Sequence, residues 1–165
     1  GPLIDRFRMV LHLDYYSESE LAEIARHRCR AMGWDFESEL LSQIAMRAKG
    51  TPRLALRLLQ SARRVSVAEG SSSLEVRHLT KACDIERVSS LGLDNLQQKY
   101  IALLKDGPLR LNVLASALGV SSKVLVKTVE PYLIRAAFVI KDDGGRRQLS
   151  ERAREHLSEF GPATD

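Results

Sequence analysis

The sequence predicts a mainly α-helical fold in two parts, joined near residue 90, and three observations predict it. Apolar residues recur at helical spacing along most of the chain. Glycine and serine clusters interrupt that spacing at Gly33, Gly50, Gly70, Ser89–Gly92, Gly107 and Gly119. Strand-like runs occur near both ends, at 8–13 and 138–149.

The run Arg8-Met9-Val10-Leu11-His12-Leu13 reads as a short strand with no evident partner in this sequence. Four helices follow. The first opens with Ser17 and Glu20 at capping-box spacing and buries Leu21, Ile24 and Ala25. Gly33-Trp34-Asp35 breaks it, and a second helix striped by Leu40, Leu41, Ile44, Ala45 and Ala48 stops at Gly50. The third begins with Thr51 as N-cap and Pro52 at the first helical position, where a missing N–H costs nothing. Its expected stripe is Leu54, Leu58, Ala62 and Val65. Gly70-Ser71-Ser72-Ser73 reads as a loop, and a fourth helix runs from about Arg77 to Ile85. Four short helices can bury one small shared core.

Beyond Ser89-Ser90-Leu91-Gly92, Asp94 caps a helix with Leu96, Tyr100, Leu103 and Leu104 inward, ended by Gly107-Pro108. Leu111, Leu114, Ala115 and Leu118 mark the next helix. Gly119-Val120-Ser121 then turns the chain into a third, with Leu125, Val129, Tyr132 and Leu133, which should kink or restart at Pro131. Phe138–Lys141 and Arg146–Leu149 flank an Asp-Asp-Gly-Gly turn and make a hairpin. A last helix, capped by Ser150, carries Ala153 and Leu157.

That second half is a winged helix-turn-helix pattern. Ala115 permits a close helix crossing, Gly119 the left-handed turn, and Ser121 or Ser122 a cap whose free N–H groups face a phosphate. Lys123 at that helix start and Lys141, Arg146 and Arg147 on the hairpin are the candidate DNA contacts. Asp142 and Asp143 at the hairpin tip oppose phosphate locally. An interaction-only winged helix remains the alternative.

Composition bounds the function. The 165 residues carry a net charge of +4, spread evenly between the halves, with 44% hydrophobic and 28% charged residues. This is globular composition, and its positive excess tolerates an anionic partner without proving one. No run is long and apolar enough for a membrane span, and no signal-peptide pattern is present, so the expected location is cytoplasmic. Cys29 and Cys83 lack metal or redox spacing and read as core fillers. No phosphate loop, HExxH or GxSxG occurs, and the four histidines are scattered. This polypeptide alone is expected to catalyse nothing.

A resemblance rests on several runs in one order along the whole chain. Pro2-Leu3-Ile4-Asp5-Arg6-Phe7 is similar to PLRDRFG, Leu13-Asp14-Tyr15-Tyr16 to LEFY, and Ala48-Lys49-Gly50-Thr51-Pro52-Arg53 to ARGTPR. Glu130-Pro131-Tyr132-Leu133-Ile134-Arg135 matches EPYLI followed by Arg or Gln, while Leu91-Gly92-Leu93-Asp94 and Gly107-Pro108-Leu109 recur at the matching places. These are motifs of the RuvB family, bacterial ATP-driven motors that branch-migrate Holliday junctions.

The resemblance implies that residues 1–16 end an ATPase core, 17–90 form a small AAA+ lid-type helical bundle, and 91–165 form the winged-helix domain. It implies that Arg6 is a candidate arginine finger or another phosphate-contacting arginine at a subunit boundary, that Tyr16 packs near adenine, that Pro52 lines that pocket, and that Arg53 is the sensor-2 arginine on the ATP phosphates. Lys141 and Arg146 fall where the family places DNA-contacting arginines. ATP and magnesium are the implied cofactors of the full-length protein, with none expected for this portion alone, whose Walker motifs lie elsewhere. Implied partners are duplex DNA at four-way junctions, further copies in a hexameric ring, and a RuvA-type junction-binding protein, with no membrane.

Departures from the pattern are specific. Ile4 replaces the family's first arginine, Arg8 stands where it has glycine, and the wing's TPRGR becomes Asp142-Asp143-Gly144-Gly145-Arg146. That exchange implies weaker DNA affinity than is typical. Two other classes stay open on the residues alone: a stand-alone winged-helix transcriptional regulator, and a clamp-loader-like interaction module that never touches DNA. Arg6, Tyr16 and Arg53 argue against the regulator, which has no use for ATP-pocket residues.

Overall fold

The computed structural model describes residues 14–157. The expected strand at 8–13 and Arg6 lie outside the described residues. The described residues divide into two compact units between Ala82 and Cys83.

In the first unit, Ser17 and Glu20 form the expected capping box at the start of α1 (Glu18–Ala31). The Ser17 side chain accepts from the Glu20 N–H, and the Glu20 carboxylate accepts from the Ser17 N–H at 2.8 Å. α2 (Ser38–Arg47) and α3 (Pro52–Ala68) pack against α1, and α4 (Val76–Glu86), which begins in this unit and runs past its end at Ala82, follows. The shared core includes Leu21, Cys29, Leu40, Leu41, Ile44 and Leu59, none more than 1% exposed. Each fully buried leucine is worth roughly 1.5–3 kcal/mol of transfer free energy, which is how four short helices hold together.

Two sequence expectations need correction here, and a third holds in position only. The buried face of α3 is Ala55, Leu58, Leu59, Ser61, Ala62 and Ser66, rotated from the expected stripe; Leu54 and Val65 are only half-buried. Thr51 occupies the N-cap, but its side chain makes no cap hydrogen bond. Finally, the Gly70–Ser73 segment is not all loop. Ser73 and Leu74 form β2, which pairs in parallel with β1 (Asp35–Phe36), Asp35 opposite Ser73 and Phe36 opposite Leu74. Two-residue strands have no periodicity to read, so their pairing depends on tertiary packing alone.

His78 is fully buried at the start of α4. Its Nδ1 accepts from the Glu75 N–H at 2.9 Å and its Nε2 faces Glu69 at 3.4 Å. This histidine serves the helix start. Among the described residues, no three His, Cys, Asp or Glu side chains cluster as metal ligands.

The second unit begins its helices with a capping box at Asp94 and Gln97, opening α5 (Asn95–Leu103). α6 (Leu111–Leu118) ends at Gly119 with φ 67°, a left-handed conformation that favours glycine. Ser121 caps α7 (Ser122–Val124), accepting from the Val124 N–H. A π-helical segment, Leu125–Val129, then leads into α8 (Glu130–Arg135). The Glu130 N–H reaches back five residues to the Leu125 carbonyl. Pro131 explains the widening, since it has no N–H to donate and its ring crowds the preceding turn. The expected restart at Pro131 therefore takes the form of a π-to-α change one residue earlier.

β3 (Val139–Lys141) and β4 (Arg147–Leu149) form the antiparallel hairpin, with Lys141 opposite Arg147. Its turn closes through the Gly145 N–H to the Asp142 carbonyl, with Gly145 at φ 72°. Leu109 adds a single antiparallel bridge to β4, exchanging backbone hydrogen bonds with Arg147 at 2.9 and 2.7 Å. α9 (Glu151–Leu157) starts at Ser150, whose side chain accepts from the Ala153 N–H and donates to the Ala137 carbonyl. Leu93, Tyr100, Leu104, Leu114, Leu125, Leu133, Val139 and Leu149 supply the core.

Candidate nucleic-acid interface

The helical stretch from Ser122 to Arg135 contains one acid, Glu130, and that acid is 1% exposed. Its solvent face instead carries Lys123, Lys127 and Arg135. The sequence reading passed over Lys127, although it lies on the polar side of the expected Leu125, Val129 and Leu133 stripe that the structure buries. Neither Lys123 nor Lys127 forms an ion pair among the described residues.

The hairpin behaves differently, because each of its cations has an acidic partner. Arg146 is 52% exposed in its side chain and pairs with Asp142 at 2.7 Å. Lys141 is 47% exposed and lies 3.6 Å from Glu130. Arg147 is only 11% exposed; its Nε donates to Glu130 Oε1 at 2.8 Å and its Nη2 to Oε2 at 3.3 Å. The remaining Nη1 donates to the Gly145 carbonyl. Of the four expected DNA contacts, the structure thus leaves three at the surface and turns Arg147 inward.

Electrostatics follow from that geometry. Burial pushes the Glu130 carboxyl up, but the hydrogen bonds from Arg147 and Tyr100, with the charges of Arg147 and Lys141, outweigh it and hold the group below the usual carboxylate range. Asp142 is also lowered, first by the backbone hydrogen bond from Arg146 and then by that residue's side chain. Both carboxylates are therefore ionised at neutral pH, and the hairpin's positive charge is largely balanced.

A second set of residues gathers at the turn before α3. The Tyr16 N–H donates to the Gly50 carbonyl at 3.0 Å, two residues before Pro52. Gly50 has φ 74°, and a Cβ there would meet the Tyr15 Cβ at 2.8 Å. Only glycine permits this approach of the Tyr15-Tyr16 segment to the turn. Pro52 is half-buried at the first position of α3, and the adjoining Arg53 is exposed, with no ion pair among the described residues. An open groove of about 620 Å³ lies alongside, lined by Tyr16, Glu20, Ile24, His27, Arg28 and Leu56 among others. Two carboxylates, Glu20 and Glu23, share its lining with His27 and Arg28, and neither Pro52 nor Arg53 lines it.

Comparison with known proteins resolves which family builds these two units. Residues 16–89 match the RuvB AAA lid domain. Residues 90–158 match the RuvB C-terminal winged helix domain. The chain belongs to the RuvB family. The Holliday junction branch migration complex subunit RuvB of Tropheryma whipplei is 34% identical over 162 residues, covering 95% of this chain and 47% of the relative. The corresponding subunit of Thermotoga petrophila is 33% identical over 161 residues, covering 95% and 48%. Among solved structures, the Thermotoga maritima RuvB Holliday junction branch migration motor superposes with a TM-score of 0.84 at 32% identity. That match covers 96% of this chain and 54% of the other. The chain spans about half the length of the curated RuvB relatives it matches. A lid-type helical bundle followed by a winged helix is thus this chain's fold, and RuvB matches favour neither a stand-alone regulator nor a clamp-loader-like module. Among the described residues, no helix is long and apolar enough to cross a membrane.

Proposed function

We propose that this chain is the lid and DNA-holding portion of a RuvB-type motor that drives Holliday-junction branch migration in recombination and repair. One observation carries the reading above the others: the RuvB lid and winged-helix matches run in order and adjoin at residues 89 and 90. In this reading the winged helix holds duplex DNA through Lys123, Lys141 and Arg146, to which the exposed Lys127 is added. A motor that moves along any sequence needs contacts to the backbone rather than to base edges.

The lid's share of the nucleotide site is Tyr16, Pro52 and Arg53. An aromatic ring beside a proline-started helix and an exposed arginine fits an adenine face and a phosphate charge. ATP bound there supplies the free energy of translocation, with magnesium held by residues outside these units. Tyr16 packs on the base, Pro52 fixes the helix start, and Arg53 holds phosphate charge. Arg6 is the proposed finger toward a neighbouring copy in a hexameric ring. A RuvA-type junction-binding protein is the proposed partner, and the cytoplasm the proposed location.

Titration of this chain against random duplexes and four-way junctions at several salt concentrations tests the reading. Binding without sequence preference is expected. Three phosphate contacts at 0.9 each would give a log–log salt slope of about −2.7, and Lys127 as a fourth about −3.6. Preference for one sequence by orders of magnitude would instead identify a regulator, and no binding at low salt an interaction module.

A further inference from the structure

We propose that Arg147 and Glu130 are positioning residues of the DNA grip: their buried pair, completed by the Tyr100 hydroxyl, holds the wing against the helix, and Arg147 makes no phosphate contact of its own. The inference rests on the DNA-holding reading above and assigns one of its basic residues a different task. Three parts of the unit converge on the Glu130 carboxylate. Tyr100 comes from α5, Glu130 itself opens α8, and Arg147 lies on β4. Every guanidinium nitrogen of Arg147 has a partner: Nε and Nη2 on Glu130, Nη1 on the Gly145 carbonyl. Its backbone is held as well, by both hydrogen bonds with Leu109.

The exposures decide which cations are available. To reach a phosphate, Arg147 would have to leave a carboxylate that is 2% exposed and strand it without its main counter-charge. Lys141 and Arg146 are half-exposed: Glu130 keeps Arg147 when Lys141 turns to a phosphate, and the partner of Arg146, Asp142, is itself partly exposed. The wing's reach therefore depends on Arg147, while its grip depends on its neighbours.

The test replaces the pair together. Glu130→Gln with Arg147→Gln removes both charges and leaves side chains that still hydrogen-bond each other and Tyr100. This double variant is expected to bind random duplex DNA with the salt slope of the parent chain. A slope flatter by about 0.9 would make Arg147 a phosphate contact and overturn the proposal. Tyr100→Phe provides the milder variant, since its hydroxyl touches only the pair. It should weaken duplex binding by no more than about fivefold at unchanged slope, the limit in which the whole value of one buried hydrogen bond falls on the DNA-bound form; unchanged affinity there also overturns the proposal. Amide exchange at Leu109 and Arg147 is followed in parallel without DNA. It should rise in each single glutamine variant and return toward the parent in the double. Singles that leave this exchange unmoved overturn the positioning role, whereas a parent chain that binds no duplex defeats the DNA-holding reading instead.

Discussion

The Tyr100 hydroxyl donates to Glu130 Oε1 at 2.8 Å, joining residues thirty positions apart inside the winged-helix core. Burial, reinforced by the adjacent carboxylate, pushes the Tyr100 phenol far above its usual value. The same carboxylate compensates Arg147. Removing it strands a buried guanidinium, so Glu130→Ala should destabilise this unit by about 3–5 kcal/mol. Glu130→Gln, which keeps an acceptor for Tyr100, should cost clearly less. Urea unfolding followed by winged-helix amide signals measures both, and equal, small losses would show that the network contributes little.

Acid should unfold the second unit through the same group. The folded Glu130 carboxyl lies below the usual range of an unfolded glutamate. Its contribution is therefore complete above that usual value and is lost as pH falls through the lowered folded one. Stability of the unit is expected to fall on acidification below the ordinary carboxylate range, and the Glu130→Gln variant should show a flatter dependence. Following winged-helix signals matters because Glu69 and Glu75, also lowered, belong to the other unit. Stability that rises on acidification would contradict the assignment.

Local chemistry was the legible part of this chain. Ser17 with Glu20, Asp94, Gly119, Ser121 and Ser150 act within a few residues of themselves, and each does what its residue type and spacing imply. Helix periodicity located the buried leucines but misjudged the face of α3 by a fraction of a turn. What stayed hidden depends on long separations. The pairing of Asp35 with Ser73, the bridge between Leu109 and Arg147, and the descent of Glu130 into the core have no local signature. The inward turn of Arg147 was hidden too, because a basic residue on a hairpin is usually solvated; its neighbour Arg146 alternates to the exposed side.

Gly50 should resist substitution more than other positive-φ glycines. Gly50→Ala combines a left-handed backbone with a Cβ 2.8 Å from Tyr15 Cβ, whereas Gly119→Ala meets nothing within 4 Å. Left-handed strain alone costs roughly 1–2 kcal/mol. The Gly119 variant is expected to lose about that much and the Gly50 variant more, with the Tyr15-Tyr16 segment displaced. Thermal melts together with amide shifts of Tyr16 check this; equal losses at both positions would mean that the approach of Tyr15 is easily relieved.

The nucleotide proposal predicts separable effects in the full-length protein. Arg53→Ala should weaken nucleotide-dependent function by about 1.5–3 kcal/mol, the value of a charge-assisted phosphate contact. Arg6→Ala should spare ATP binding and depress hydrolysis, because a finger acts on a neighbour's transition state. Binding and turnover assays separate the two, and loss of nucleotide binding with normal turnover per bound ATP in the Arg6 variant would refute the finger role.

The wing tip offers the sharpest gain-of-function prediction. Asp142 accepts the Arg146 N–H through Oδ1 at 2.8 Å and the Arg146 Nε through Oδ2 at 2.7 Å. Asp142→Asn keeps an oxygen for the backbone donor, so the turn should survive. An exposed pair of this kind is worth no more than about 1 kcal/mol, and the stability change should stay within that. The charge effect on DNA is another matter. The variant frees Arg146 from its competitor and removes one negative charge from the face that meets phosphate. Two charges about 4 Å apart in water interact by about 1 kcal/mol, so duplex affinity should rise about fivefold at low salt. The gain should shrink as salt is raised, because screening acts on the same interaction. Titrations of the parent and variant across a salt series measure it. Unchanged or weaker binding by a normally folded Asp142→Asn variant would mean that Arg146 does not meet the DNA backbone.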